Sequence, residues 1–145
     1  MEKITFQDGV TKGNAATFNQ LQDNIENSIS GTVIWTNPDI TQEFAGQQII
    51  RDLSSYKRFT LRWVFSSTNN IFGATEIYKN AYNRINTIGN VDNFDLALQR
   101  DVALTEVEIT FTDCYGYGIG TFASQIGFAG MRNKGIIPYQ IIGYK

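Results

Sequence analysis

Catalysis needs groups that move protons or hold metals, and this sequence is poor in them. It has no histidine and a single cysteine, Cys114. Without histidine the commonest general base and metal ligand is missing, along with Ser-His-Asp and Cys-His chemistry. Zinc needs Cys or His ligands in numbers this chain lacks. A lone cysteine makes no intrachain disulfide, so stability has to come from a core or from association. Carboxylates are the remaining route. Asp92 and Asp95 fall on opposite faces of an extended chain, which is wrong for a glycosidase pair. Glu106 and Glu108 share a face, but as i, i+2 neighbours about 6–7 Å apart on one strand they read as solvated. Asn90, Asp92 and Asp95 lack the glycine and terminal glutamate of an EF-hand loop. The expectation is a protein with no catalytic residue, no metal and no cofactor.

Binding chemistry is better represented. Tyr115-Gly116-Tyr117-Gly118-Ile119-Gly120 partly resembles a phosphate loop, yet no helical pattern opens after it and no lysine–serine/threonine pair follows. Its other reading is a flexible turn or bulge whose tyrosines are either packed or exposed. Exposed tyrosines beside glycine can stack on sugar rings, which makes Tyr115 and Tyr117 the glycan-contact candidates. Trp35 and Trp63 sit on apolar strand faces and are expected in the core or between subunits. Arg58 and Arg62 point away from that core, and Arg100, Asp101 and Asp113 are assigned to turns near strand ends.

Composition narrows the partners. The formal net charge is −2 with scattered lysines and arginines, which disfavours nucleic acid. No apolar run reaches the length of a membrane span. The N-terminus, MEKITFQDG, lacks a signal-peptide pattern, so synthesis in a cytoplasm is expected, compatible with a final place on a particle released by lysis.

Two periodicities organise the chain. From Asn14 to Ile29 the apolar residues Phe18, Leu21, Ile25 and Ile29 keep helical spacing, with Asn14 as N-cap and Gly31 past the end. These four are the oligomerisation candidates. The seam either packs on its own domain or forms a short bundle with two other copies, because so short a helix needs a partner surface. After Gly31 the period becomes two. Phe59, Leu61, Trp63 and Phe65 share a face, as do Phe94, Leu96 and Leu98, and Val107, Ile109 and Phe111. Roughly seven to nine short strands at 8–12-residue spacing predict a mainly β fold, an antiparallel, jelly-roll-like β-sandwich. The domains are residues 1–30, an attachment strand and helix, and 31–145, the sandwich.

Several blocks resemble small tail-fibre, baseplate or receptor-binding proteins of phages and prophages of Gram-positive bacteria. Ile4-Thr5-Phe6-Gln7-Asp8-Gly9, then the helix with Phe18-Asn19-Gln20-Leu21-Gln22-Asp23-Asn24-Ile25-Glu26, is similar to their opening. Trp35-Thr36-Asn37-Pro38 with Phe44 and Asp52-Leu53-Ser54-Ser55-Tyr56 resembles their central block. Ile136 to Lys145 resembles their usual ending and departs at Gln140. The glycine-rich stretch and the region from Thr75 to Asn90 follow no family pattern. The resemblance implies a virion protein, a homotrimer joined to other virion proteins through its N-terminal segment, and adsorption to a bacterial surface. It does not fix the ligand, for which bacterial surface polysaccharide is one candidate. A head fibre or decoration protein, and a non-viral carbohydrate-binding sandwich, are the alternatives.

Overall fold

A computed structural model describes residues 15–65, 71–91, 94–119 and 130–145. Among the described residues one helix, α1 (Ala15–Ile29), precedes ten strands. These are β1 (Thr32–Thr36), β2 (Gln47–Ile50), β3 (Arg58–Phe65), β4 (Ile71–Ile77), β5 (Asn83–Val91), β6 (Phe94–Leu104), β7 (Glu108–Phe111), β8 (Tyr115–Gly118), β9 (Gly130–Met131) and β10 (Ile136–Tyr144). They form two antiparallel sheets, as the alternating pattern predicts. The first runs β1-β10-β3-β4. In the second, β6 has β5 along one edge, and β7 followed by β8 along the other, with β2 beside β7 and β9 beside β8. The pairs β1–β10 and β2–β7 nest as in a jelly roll, whereas β3–β4 and β5–β6 follow one another along the chain.

The core lies between the sheets. Phe59, Leu61 and Phe65 of β3 are buried, and so are Leu96, Leu98, Val102 and Leu104 of β6. Trp63 is half-buried against the core, and its indole N–H donates to Thr75 Oγ1 at 3.1 Å. Trp35, Phe44 and Phe111 make a three-ring cluster with centroids 5.2–5.9 Å apart. Val107, expected to share the inward face of Ile109 and Phe111, is exposed because it lies in the turn before β7. Arg58 and Arg62 are exposed, as their alternation requires.

Asparagines shape the connections. Asn37 donates to the Pro138 carbonyl and accepts from the Asp39 N–H, closing the turn over Pro38. Between the sheets the chain turns at Asn80, whose φ of 54° is a left-handed value that asparagine tolerates. The buried Asn83 amide then accepts from the Tyr78 N–H and donates to the carbonyls of Tyr78, Ala81 and Val102.

The helix keeps its predicted place and meets the sandwich at β10. Leu21, Ile25 and Ile29 are all exposed, Ile29 at 68%. The side chain of Phe18 and the residue Asn14 lie outside what the structure describes. Among the described residues no helix is long and apolar enough to cross a membrane.

Two expectations are corrected. Arg100 and Asp101 are not turn residues: β6 continues through both to Leu104, and the Arg100 side chain is fully buried. The tyrosine–glycine stretch begins as a strand, β8, rather than as a loop. Gly116 faces inward there, and a Cβ on it would come within 3.0 Å of Leu96 and 3.2 Å of Leu98. The glycine sits in close packing here, with Arg132 Cγ nearest to that Cβ at 2.9 Å, and not in a turn.

Candidate functional site

The outer face of the second sheet depends on one extra residue. Phe111 pairs with Val102, while Tyr115 pairs with Gln99, so four steps on one strand oppose three on β6. The segment Thr112–Cys114 is therefore a bulge between β7 and β8. Such a one-residue slip reverses the phase of everything after it. Ile109 and Phe111 face the core, but Tyr115 and Tyr117 face solvent, 43% and 45% exposed.

A buried polar network holds the bulge. Arg100 donates to the carbonyls of Ile136 (2.8 Å), Phe44 (2.7 Å) and Thr112, and to Asn133 Oδ1 at 3.4 Å. Burial pushes its pKa down to about 10, which still leaves it charged at neutral pH. Asn133 Oδ1 also accepts from the Cys114 N–H at 2.9 Å, and its amide donates to Asp113. Asp113 accepts from the Gly46 N–H at 2.7 Å as well. That backbone donor, then Asn133, holds its carboxyl below the usual carboxylate range. Cys114 is buried beside this network, and burial pushes its thiol up, away from the reactive thiolate.

Register then lays out the surface. Ile88, Ala97 and Tyr117 form one row across β5, β6 and β8, and Asn86, Gln99 and Tyr115 form the next. Arg84 and Asp101 make the row after that. Because alanine is short, a hollow of about 600 Å³ opens above Ala97, bordered by Ile88, Tyr117, Asn86 and Gln99. A smaller one of about 200 Å³ lies beside it, between Gln99, Asp101, Asp113 and the two tyrosines. One side of the larger hollow is apolar and the other offers two amides. A sugar has the matching chemistry, with an apolar C–H face and a rim of hydroxyls.

The charged group at the centre is already partnered. Asp101 accepts from Arg84 Nε at 2.7 Å and from the Tyr82 hydroxyl at 2.6 Å. The Arg84 guanidinium, and then the Tyr82 hydroxyl, hold the Asp101 carboxyl below the usual range, and Asp101 in turn holds the tyrosine's pKa up. Arg84 also stacks on the Tyr82 ring, 5.0 Å from its centroid.

Of the residues nominated from sequence, Tyr115 and Tyr117 come together on this face, while Leu21, Ile25 and Ile29 lie apart on the helix. Glu106, an acid weighed for catalysis, is in a turn and pairs with Lys79 at 2.8 Å; Glu108 lies on β7 and accepts from Gln48. Asn90 donates to Asp95 at 3.0 Å, and Asp92 lies outside the described residues. Sequence reasoning did not nominate Tyr82, Arg84, Asn86, Ile88, Ala97 or Gln99 for this face. The available signal was the alternation of β5, which sets Arg84, Asn86 and Ile88 on one side of the strand.

No protein-family model matches the chain, and no curated protein and no solved structure matches it.

Proposed function

We propose that this chain is a non-enzymatic virion protein, a homotrimeric tail-fibre or baseplate appendage whose sandwich recognises glycan on a host surface. The observation that carries the recognition half is the row Ile88–Ala97–Tyr117 beside the amides of Asn86 and Gln99. The virion half rests on the sequence resemblance at both ends and in the middle of the chain.

Other features support the same reading. A glycosidase needs one carboxyl held protonated near neutral pH. The two carboxyls bordering these hollows, Asp101 and Asp113, are both shifted the other way. The exposed stripe Leu21, Ile25 and Ile29 suits burial among three copies. Threefold display also raises weak contacts to useful avidity on a repetitive surface.

Replacing both tyrosines, Tyr115→Ala with Tyr117→Ala, should lower binding to host cells while leaving the melting temperature in place. Unchanged binding removes the recognition role. Light scattering with mass determination tests the assembly, and a monomer at micromolar concentration removes the trimer.

A further inference from the structure

The outer face of the second sheet does not end at Asp101. Beyond it lies a third hollow of about 380 Å³, floored by Ala103 and bordered by Ala81, Tyr82, Thr110 and Thr112. Its register follows the same plan, with Ala103 opposite Thr110 and Thr110 opposite Gln48. The hollows share walls: Gln99 and Tyr117 border the first and second, Asp101 and Thr112 the second and third. They therefore form one trough along β6. From Ala97 to Ala103 it spans six residues of strand, about 20 Å.

The charge along the trough is uneven. Among the described residues, the first hollow is bordered by no ionisable group except Tyr117. The middle carries two carboxylates, Asp101 and Asp113. The nearby cation, Arg84, is bound to Asp101 and to the Tyr82 hydroxyl. An anionic chain would lay its charges against those carboxylates, whereas hydroxyl groups can donate to them. The third hollow offers two alanines and the methyl groups of threonines, suited to a small apolar substituent such as an acetyl or deoxy-sugar methyl.

We infer that this trough takes an uncharged oligosaccharide of several units laid along β6, with a second, apolar subsite over Ala103. The inference rests on the glycan reading of the tyrosine end and specifies its ligand.

The test uses the full chain on a glycan array that carries neutral and anionic oligosaccharides, from single sugars to long chains. Neutral chains should give the signal, and affinity should rise with length until the trough is spanned. Ala103→Trp fills the second subsite and should remove that rise, lowering affinity for long chains about tenfold, the loss of one well-placed contact. If Ala103→Trp melts early, Thr110→Trp on the neighbouring strand closes the same hollow. Equal affinity for single sugars and long chains overturns the inference, as does a preference for anionic glycans or a length dependence that survives the tryptophan. Each of these leaves glycan recognition standing. Silence across the whole array overturns both.

Discussion

Arg100 and Asp101 are neighbours on β6, each charged, and on opposite faces of one sheet. Arg100 points inward among Leu98, Val102 and Leu104, and its partners are chiefly backbone carbonyls from three separate segments. Asp101 points outward, and its partners are side chains of one adjacent strand region, Arg84 and Tyr82. Water can replace the partners of Asp101 but not the buried carbonyls of Phe44 and Ile136 that Arg100 holds. The inner charge is thus part of the fold, and the outer one is part of a surface. The same division runs along all of β6, where large inward residues alternate with short or polar outward ones. That alternation lets the trough vary in sequence without disturbing the core beneath it.

The largest expected effect comes from the inner charge. Arg100→Met keeps much of the volume but leaves the carbonyls of Phe44, Thr112 and Ile136 without this donor. Each buried acceptor left unsatisfied costs about 1–3 kcal/mol, so the two bonded in buried surroundings, Phe44 and Ile136, should together cost at least about 2 kcal/mol. Urea denaturation should show the loss as a lower midpoint at unchanged slope. Arg100→Lys should recover little, since one ammonium cannot fork toward three divergent carbonyls. A loss below about 1 kcal/mol for Arg100→Met would break the contrast between the faces. Leu98→Ala, on the same inward face, should cost about 2–5 kcal/mol through the cavity it leaves.

The inner face was largely legible in the sequence, and the outer one was not. Alternation alone identifies Phe59, Leu61 and Phe65 and brings Leu96 and Leu98 inside. It also runs on through Val102 and Leu104, a continuation that the assignment of Arg100 to a turn leaves unused. The bulge at Thr112–Cys114 leaves no comparable signal, because its geometry is held by Asn133 and Gly46, both distant in sequence. Without the bulge, period two carried forward from Ile109 and Phe111 would bury Tyr115 and Tyr117. Residue type nominated those tyrosines, but register put Ile88 and Gln99 beside them, and register is a non-local property.

Effects on the outer face should separate binding from stability. Tyr117→Ala should change the unfolding free energy by no more than about 0.5 kcal/mol, because the side chain is half exposed and closes no cavity. Its loss of affinity for neutral oligosaccharide should be about tenfold or more, as for an aromatic at the centre of a contact surface. Isothermal titration and thermal melting on one preparation measure both. A parallel fall in melting temperature and affinity would mean that Tyr117 supports the sheet instead of the ligand.

The smallest effect belongs to Asp101. Its folded pKa is lower than its unfolded value of about 3.9, so the fold favours the ionised form. The sign follows by linkage: the contribution is present above about pH 4 and is lost as pH falls through the depressed folded pKa. Asp101→Asn should therefore melt slightly below the wild-type chain at neutral pH. The difference should shrink in acid, where the wild-type carboxyl is protonated as well. It should also shrink in high salt, because Arg84 is 39% exposed and the pair is screened. Melting curves from neutral pH down past pH 4 decide the matter. A difference as large as that of Arg100→Met would place Asp101 with the core. A difference independent of pH would show that its hydrogen bonds matter to the fold and its charge does not.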